Sequence, residues 1–341
     1  MAHRIKRRAE MHSAARTALV IGITGSLGRE VAGALLRHGW QVRALHRDPA
    51  AAESSSTLPK SVQWVKGDAM QSSDVVEAAR GTELIVHAAN PPNYRNWRGL
   101  ALPMLHNTIA AARICKARIL LPATIYNFGA NAPTAVTENS PQIPTSRKGQ
   151  VRVEMEQRLQ EASHEGVRSI VVRAGDFFGP GAGNSWLTRG MIMSRDRVRT
   201  VYYPGPPGVG HSWAYLPDLA ETMARLIDCE RPMSAYEVFH FGGHWLEHGV
   251  KMAEGVCRAL SISKDRIKPF PWWAVKLGSP FVNAFHEMLE MRYLWQVSLR
   301  LDNSKLRALI GAEAHTPLEE ALAATLDRRP RAIGQGSSVA A

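Results

Sequence analysis

Cysteine is scarce in this chain, with three residues among 341: Cys115, Cys229 and Cys257. They lie far apart in sequence, so the spacing indicates neither a disulfide framework nor a cysteine-based metal site. Each stands in an apolar setting. We therefore expect three buried structural thiols in a reducing compartment.

Long hydrophobic runs are also absent. No segment approaches the roughly 20 apolar residues that a membrane-spanning helix needs, and residues 1–16 lack the apolar core of a secretory signal. Both absences argue against membrane-embedded and secreted classes and favour a cytoplasmic protein without a membrane partner. With 45% hydrophobic residues, the chain can nevertheless bury a sizeable core.

Acidic residues are outnumbered, because 42 Lys and Arg against 30 Asp and Glu give a net charge of +12. Four of these net charges lie in residues 1–16 and three in residues 328–341, and we expect both segments to be disordered basic arms. The rest of the chain is only moderately basic. That balance suits an anionic cofactor, and no nucleic-acid partner is expected.

The most informative segment is an apolar run that ends in three evenly spaced glycines, Gly22, Gly25 and Gly28. Gly22 can take backbone angles closed to other residues at a strand exit, Gly25 lets the main chain approach a pyrophosphate, and Gly28 lets a helix pack close to the sheet. Apolar residues continue at helical spacing afterwards. The segment therefore predicts a strand, a phosphate-binding turn and a helix N-terminus that attracts an anion.

Strands and helices are expected to alternate beyond this turn. Strands are predicted at 41–46, 62–65, 84–89, 118–121 and 169–173, with helices near 27–38, 72–80, 101–116 and 148–164 and a Ser-rich surface loop at 53–57. Strands that are apolar on both faces and alternate with helices indicate an α/β fold with a doubly wound parallel Rossmann sheet.

A second, smaller unit is predicted after Gly175, where Gly- and Pro-rich segments interrupt the pattern. We expect residues 17–175 to form the dinucleotide-binding core. Residues 176–327 are expected to form a mixed C-terminal substrate-binding lobe with returning core elements. Residues 271–297 indicate one or two amphipathic helices, which could serve core packing, a substrate wall or a dimer face.

Four further motifs carry a family resemblance. They are Gly67-Asp68, His87-Ala88-Ala89, the segment 173–181 with its Gly179-Pro180-Gly181 end, and the segment 213–220 around Asp218. Together with the glycines, and in this order, they resemble the extended or atypical short-chain dehydrogenase/reductase superfamily, the NAD-dependent epimerase/dehydratase-like proteins. The resemblance spans about residues 18–326. It implies a Rossmann fold, a nicotinamide cofactor and a small-molecule substrate. It leaves the oligomeric state open, with a homodimer as one alternative.

The cofactor residues follow from the turn and from the resemblance. The residues expected to contact the cofactor are Gly22, Thr24, Gly25, Ser26, Leu27, Gly28, His46, Arg47, Asp68, Ala69, His87, Ala88, Ala89 and Arg152. NAD sites usually place an acid at the end of the second strand, whereas this chain has His46-Arg47 there, with Arg43 earlier in the strand. NADP is therefore favoured with Arg47 on its 2′-phosphate, and NAD stays open because Asp48 follows.

The family's Tyr-x-x-x-Lys motif is missing, since no tyrosine here has lysine four residues later. Alignment on Glu156 instead places Lys148 at the tyrosine position and Arg152 at the lysine position. Arg152 can hold ribose hydroxyls, and Lys148 can act as a general acid if nearby cations lower its pKa. The family's Ser/Thr position corresponds to Thr124, and Tyr126 is an alternative acid.

The remaining candidate residues concern a substrate cleft and a metal site. Tyr94, Asp176, Asn184 and Tyr202 are expected to line the substrate cleft. No metal is expected, because His211, His240 and His244 lack regular ligand spacing.

Three functions stay open on the sequence. The first is an NAD(P)-dependent oxidoreductase that transfers hydride between nicotinamide and a carbonyl or alcohol substrate. The second is a nucleotide-sugar epimerase or dehydratase, which would use the same hydride step transiently. The third is a non-catalytic NADP(H)-binding sensor, which the loss of the tyrosine motivates.

Overall fold

A seven-stranded, wholly parallel sheet forms the centre of the protein. The computed structural model describes residues 16–91, 96–183, 185–193, 198–229 and 232–327, without the side chain of Asn283. From one edge to the other, its strands are residues 236–240, 169–174, 118–124, 84–87, 17–21, 41–46 and 63–66. Strand 17–21 lies inside the sheet, the next two strands along the chain are added on one side of it, and the later strands are added on the other side. This topology confirms the predicted doubly wound α/β fold.

The first half of the chain contributes most of the sheet. Its elements are β1 (Thr17–Ile21), α1 (Ser26–Arg37), β2 (Gln41–His46), α2 (Pro49–Ser55), β3 (Gln63–Lys66), α3 (Ser72–Ala79), β4 (Leu84–His87), α4 (Trp97–Cys115), β5 (Arg118–Thr124), β6 (Ala135–Val136), α5 (Arg147–Ser163) and β7 (Ser169–Ala174).

The second half adds one sheet strand and the smaller elements. These are β8 (Asp176–Phe178), β9 (Val201–Tyr203), β10 (His211–Tyr215), α6 (Leu216–Ile227), β11 (Tyr236–His240), β12 (His244–Leu246), α7 (Lys251–Ala259), β13 (Ile267–Pro269), α8 (Trp272–Gly278), α9 (Asn283–Glu290), β14 (Arg300–Leu301), α10 (Ser304–Ile310) and α11 (Leu318–Leu326).

Both faces of the sheet are covered by apolar helix faces. On one face, Val31 and Leu35 of α1 pack with Leu219 and Met223 of α6. On the other face, helices α3, α4 and α5 bury residues such as Leu105. A fully buried aliphatic side chain contributes about 1.5–3 kcal/mol, so these two layers provide the driving force that holds the sheet between helices.

Helix α1 shows how local sequence sets an element. It begins after Gly25, and its buried face includes Val31 and Leu35 at helical spacing. It ends where Gly39 adopts φ +79° and donates its N–H to the carbonyl of Leu36 at 3.1 Å. A left-handed residue after a helix is most easily glycine, so this stop is encoded in the sequence.

The C-terminal elements pack around an aromatic cluster. Phe178, Trp213 and Trp295 are fully buried there, together with Met252 of α7 and Leu322 of α11. Strand β10 lies between β8 and β12 in a three-stranded sheet. The division of the chain near residue 175 stays a prediction.

Two expectations are corrected at the level of local structure. The Ser-rich segment predicted as a loop is largely helical, because Asp48 caps α2 by accepting the Ala51 N–H at 3.1 Å. The cysteines are not all buried: Cys257 is, whereas Cys115 and Cys229 are half-buried. Burial raises the pKa of the Cys257 thiol.

The amphipathic region 271–297 forms helices α8 and α9, as predicted, followed by a short 3-10 turn. Its aromatic residues divide between two environments, because Trp295 is buried while Trp273 and Phe281 are exposed. Within the described ranges, none of the helices has the length and apolar character needed to cross a bilayer. Of the predicted disordered basic arms, 1–16 and 328–341, residues 1–15 and 328–341 lie outside the described residues. Arg16 is described and is not a free arm residue, because its Nη2 lies 2.9 Å from an Asp228 oxygen and its carbonyl accepts the Gln41 N–H at 2.8 Å.

Candidate cofactor and catalytic site

The glycine turn joins the ends of three elements. Gly22 leaves β1 with φ +87°, and a Cβ there would lie 2.6 Å from the backbone N of Ala89. A Cβ on Gly28 would lie 2.2 Å from the carbonyl oxygen of Gly22. Both glycines are therefore required by close backbone contact between β1, the end of β4 and helix α1.

The remaining part of the turn is open. A Cβ on Gly25 would meet only the Gly22 oxygen, at 3.2 Å, and Thr24 and Gly25 are exposed. Ser26 and Leu27 begin α1, so the unpaired N–H groups of this helix face the open side of the turn. The positive end of the helix dipole and the absence of a side chain at Gly25 suit the pyrophosphate of a dinucleotide.

A loop from the second half of the chain is fastened to the start of α1. The Ser26 hydroxyl donates to the carbonyl of Gly181 at 2.9 Å, and the Arg29 guanidinium donates to the carbonyl of Pro180 at 3.0 Å. The Gly-Pro-Gly motif therefore lies beside the glycine turn. The sequence indicated both motifs but not this contact.

Four of the predicted cofactor residues, His46, Arg47, Asp68 and Ala69, lie at or just beyond the ends of neighbouring strands β2 and β3. His46 pairs in register with Lys66, and the Gly67 N–H donates to the His46 carbonyl at 3.1 Å. Arg47 is exposed at this edge. The Asp68 carboxylate accepts the Met70 N–H at 2.9 Å, and the Ala69 carbonyl accepts from Asn107 at 2.9 Å. These hydrogen bonds hold Asp68 and Ala69 in place at the edge of the sheet.

Arg43 does not take part in this edge. Its guanidinium donates to the carbonyls of Ala78 and Arg80, at 2.7 and 2.9 Å, and to the Gln63 side chain at 3.0 Å. Arg43 therefore fastens the end of α3 to β2. Of the two arginines, only Arg47 is therefore left at this edge as a partner for a 2′-phosphate.

His87 ends β4 as a fully buried imidazole. Its Nδ1 lies 2.8 Å from the Thr108 hydroxyl. Burial, together with the nearby Arg152 guanidinium, lowers the pKa of His87 to about 3, so the ring is neutral at physiological pH. Ala88 and Ala89, which follow, are half-buried beside the glycine turn.

One face of α5 carries three charged side chains, each one turn from the next: Lys148, Arg152 and Glu156. All three are buried. This spacing aligns them along the side of the helix that faces the sheet. Helix α5 therefore places Lys148 and Arg152 toward the carboxyl edge of the sheet, where the ends of β4 and β5 lie.

Arg152 is held in place by residues that follow β4. Its Nη2 donates to Asn90 Oδ1 at 2.8 Å, and its guanidinium carbon lies 4.8 Å from the centre of the Trp97 ring. Arg152 thus stands next to the His87-Ala88-Ala89 segment. Asn90 was not among the predicted site residues, although its position directly after that segment could have suggested it.

Lys148 is paired with an acid from the C-terminal half of the chain. Its Nζ lies 2.7 Å from Glu287 Oε2 on α9. Burial lowers the pKa of Lys148, and the carboxylates of Glu287 and Glu290 partly offset that effect. No sequence signal connects Lys148 with Glu287, because the two are far apart in the chain.

Glu156 anchors the same helix to the sheet. Its two carboxylate oxygens accept from Nη2 and Nε of Arg173 at 2.6 and 3.1 Å, and one also accepts from Asn127 at 2.8 Å. Arg173, in β7, is 1% exposed. This buried ion pair fixes the rotation of α5 and thereby the positions of Lys148 and Arg152.

Thr124 and Tyr126 lie beside the start of α5. Thr124 is the last residue of β5, and its buried hydroxyl accepts the Tyr126 N–H at 3.4 Å. Gly149 packs on the same turn, because a Cβ there would lie 2.2 Å from the Tyr126 carbonyl oxygen. The fold therefore brings Thr124 and Tyr126 to the edge that holds Lys148.

The predicted cleft residues divide into three cases. Asp176 is buried, and its carboxylate lies 2.9 Å from Nε2 of His211. His211 in turn stacks on Trp295, with ring centres 4.0 Å apart and planes at 11°. Tyr202 is half-buried in β9. Tyr94 and Asn184 lie outside the described residues.

A small cavity adjoins this pair. Its lining includes Ile125, Asp176, His211, Leu294 and Leu299. Ile125 directly follows Thr124, so the cavity lies next to the turn that carries Thr124 and Tyr126. His211 and Trp295 were not predicted as site residues. Their roles depend on contacts between distant segments.

Comparison with known proteins agrees with this architecture. The sequence model of the NAD dependent epimerase/dehydratase family matches residues 18–242. No curated protein sequence matches the chain. Among solved structures, the chain is similar in fold to three nucleotide-sugar enzymes.

The first is UDP-glucuronic acid 4-epimerase from Bacillus cereus in complex with NAD, at TM-score 0.73 and 16% identity, covering 93% of this chain and 96% of that one. The second is UDP-glucose 4-epimerase from Bifidobacterium longum with NAD+ and UDP, at TM-score 0.71 and 16% identity, covering 91% and 97%. The third is dTDP-glucose 4,6-dehydratase from Streptomyces venezuelae with NAD, at TM-score 0.72 and 16% identity, covering 91% and 95%.

Proposed function

Because this chain belongs to the NAD-dependent epimerase/dehydratase family, we propose that it is an NAD(P)-dependent oxidoreductase acting on a carbonyl or alcohol carbon of a small molecule. The observation that carries the proposal is the α5 face with the buried Lys148 and Arg152, which we assign to the positions of the family's tyrosine and lysine by alignment on Glu156. Both side chains are buried at the edge of the sheet where the glycine turn lies. When bound, the nicotinamide dinucleotide supplies or accepts the hydride.

Arg152 is proposed to bind the nicotinamide ribose. Its Nη2 donates to Asn90 and its Nη1 to the Met155 sulfur at 3.7 Å, and the fixed planar arrangement of guanidinium donors suits a pair of hydroxyls. The contact with the Trp97 ring restricts the guanidinium further. Asn90 and Trp97 are therefore proposed as positioning residues for Arg152.

Lys148 is proposed to deliver the proton to the substrate oxygen in carbonyl reduction. Its ammonium replaces the neutral phenol of the family's tyrosine, and the adjacent Glu287 carboxylate stabilises the ammonium against burial. Lys148 then donates one proton as the carbonyl carbon gains hydride, so the product is an alcohol. Thr124 is proposed to donate a hydrogen bond to the same oxygen, and Tyr126 remains the alternative proton donor.

The substrate is proposed to lie between this edge and the second half of the chain. Asp176 and His211, whose side chains pair at 2.9 Å, are proposed to offer polar contacts on that side. Tyr202, Tyr94 and Asn184 stay proposed cleft residues. NADP is proposed over NAD because the end of β2 presents the exposed Arg47, whereas Asp48 is used as the cap of α2.

A second candidate is a nucleotide-sugar epimerase or dehydratase. It is supported by the solved structures of similar fold, which are enzymes of that kind. Such an enzyme would return the hydride to the same substrate molecule. It would therefore retain its cofactor and show no net change in nicotinamide absorbance. The third candidate is a non-catalytic NADP(H) sensor.

The decisive experiment measures nicotinamide absorbance with the purified full chain, NADPH or NADH, and a panel of aldehydes and ketones. Steady oxidation that depends on substrate supports the proposal. Product formation from nucleotide sugars without net oxidation would favour the second candidate. Tight NADPH binding without turnover on either panel would overturn the oxidoreductase and favour the sensor.

A further inference from the structure

Three side chains of metal-binding type that take no part in the proposed catalytic site lie close together. They are Asp218 in the first turn of α6, His244 at the start of β12 and His315 just before α11. One carboxylate oxygen and one ring nitrogen from each histidine all lie within 4.8 Å of one another. Sequence spacing predicted no metal site and did not bring His244 together with Asp218 and His315, because these residues come from three separate segments.

His244 has a buried ring nitrogen without a partner in the described part of the chain. It is 6% exposed, and its Nε2 is buried without a hydrogen-bond partner among the described residues. A buried ring nitrogen without a partner is unfavourable, so such an atom in a native structure requires an explanation. The His244 and His315 ring centres are 4.7 Å apart, so the two imidazoles adjoin each other.

The segment that carries His315 is fixed on both sides. The Glu313 carboxylate accepts the N–H groups of Gly242 and Gly243 at 2.7 and 3.1 Å, directly before His244. Thr316 donates its N–H and its hydroxyl to the two oxygens of Asp218, each at 2.7 Å. His315 is therefore held between the other two members by its own neighbours.

The donor atoms of the cluster suit a cation. A histidine coordinates a metal ion through a ring nitrogen, and the buried Nε2 of His244, which has no partner within the described ranges, is such an atom. Asp218 supplies a carboxylate oxygen, and His315 is exposed, which gives an ion access from solvent.

We propose that Asp218, His244 and His315 bind a divalent transition-metal ion, with Zn²⁺ the best match. Two imidazoles and one carboxylate form a ligand set that zinc accepts, with water in the fourth position. The ion would link α6, β12 and the segment before α11. Its effect is on stability, because binding to the folded state alone shifts the unfolding equilibrium.

The test uses the full chain after treatment with EDTA and desalting, with ZnCl₂ as the probe. Calorimetric titration is expected to give one site per chain, and zinc is expected to raise the midpoint of thermal unfolding. His315→Ala, at an exposed position, should weaken zinc binding at least tenfold and abolish the shift in the midpoint. His248→Ala, an exposed histidine of the same half of the chain, is the matched control and should behave as the wild type.

A second readout uses Co²⁺, whose visible absorbance reports imidazole coordination. The Co²⁺ spectrum of the wild type should be lost in His315→Ala and retained in His248→Ala. Absence of saturable zinc binding, or equal binding by both variants, would overturn the proposal. Circular dichroism of each variant verifies that it is folded.

Discussion

Lys148 and Glu287 form an ion pair between helix α5 and helix α9, with Nζ 2.7 Å from Oε2, in which Lys148 is buried and Glu287 half-buried. Lys148, which we propose at the tyrosine position of the family's motif, thus has its counter-ion in the C-terminal half of the chain. If Lys148 is the proton donor, its proton transfer depends on how α9 packs.

Replacing Lys148 by methionine should remove the proton donor while preserving most of the side-chain volume. We expect the kcat for carbonyl reduction to fall by about 10²–10⁴-fold, the usual contribution of general acid catalysis. NADPH affinity, measured by fluorescence titration, should change little. Lys60→Met, at an exposed position, is the control. An unchanged kcat in Lys148→Met would exclude Lys148 as the donor and direct attention to Tyr126→Phe.

The variant Glu287→Gln should alter the pH dependence of the reaction. Burial lowers the pKa of Lys148 and Glu287 opposes this, so removing the carboxylate lowers the pKa further. Reduction needs the protonated form, so activity falls as the pH rises through this pKa. The alkaline limb of kcat/KM should accordingly move to lower pH in Glu287→Gln. If a folded Glu287→Gln variant keeps the alkaline limb of its kcat/KM profile at the wild-type pH, Glu287 does not control the pKa of the proton donor.

Arg152→Gln should weaken cofactor binding, because the amide cannot replace the guanidinium that Asn90 and Trp97 orient. We expect the Kd for NADPH to rise about tenfold, equivalent to about 1.4 kcal/mol. Arg158→Gln, on the same helix but paired with Glu154 at the surface, provides the control. Equal affinity of the two variants would show that Arg152 does not contact the cofactor.

Arg47→Gln should reduce discrimination between the two nicotinamide cofactors. The exposed guanidinium at the end of β2 is the proposed partner of the 2′-phosphate, and NADH has no such group. The Kd for NADPH should rise several-fold while that for NADH stays the same. Lys60→Gln again serves as a control for general loss of positive charge. A parallel change for both cofactors would speak against a 2′-phosphate contact.

Glu156→Gln should be strongly destabilising. It leaves Arg173 buried without its counter-ion, and breaking a buried pair costs about 3–5 kcal/mol of the free energy of unfolding. Glu154→Gln, which removes a partly exposed acid paired with Arg98 and Arg158, should cost less than about 1 kcal/mol. Urea unfolding of both variants provides the measurement. Similar midpoints would show that the Glu156–Arg173 pair does not anchor α5.

Gly28→Ala should prevent the close approach of α1 to β1. The added Cβ would lie 2.2 Å from the backbone oxygen of Gly22, which no side-chain movement relieves. We expect loss of NADPH binding together with a lower thermal midpoint. Gly208→Ala adds a Cβ in open space and is the matched control. Normal binding by Gly28→Ala would mean that the turn can shift at little cost.

Much of the nucleotide-binding half was determined by the sequence alone. The glycine spacing, the apolar strands and the helical periodicity specified β1, α1 and the parallel sheet, because these signals are local and each element repeats its period over several residues. Two features differ from the sequence prediction, and both differences have local causes. Asp48 capped a helix over the Ser-rich segment, where composition indicated a loop, and Arg43 turned to the carbonyls at the end of α3.

The tertiary structure decided which charges meet. Lys148 and Arg152 could be found by alignment, but Glu287, the Asp176–His211 pair and the Asp218–His244–His315 cluster could not. Each joins residues from separate segments, and no local propensity reports such distances. The sequence therefore determined the cofactor fold, since backbone geometry at glycines and strands is set by neighbouring residues. The protonation and partners of the site side chains were set by burial and packing, which only the folded chain provides.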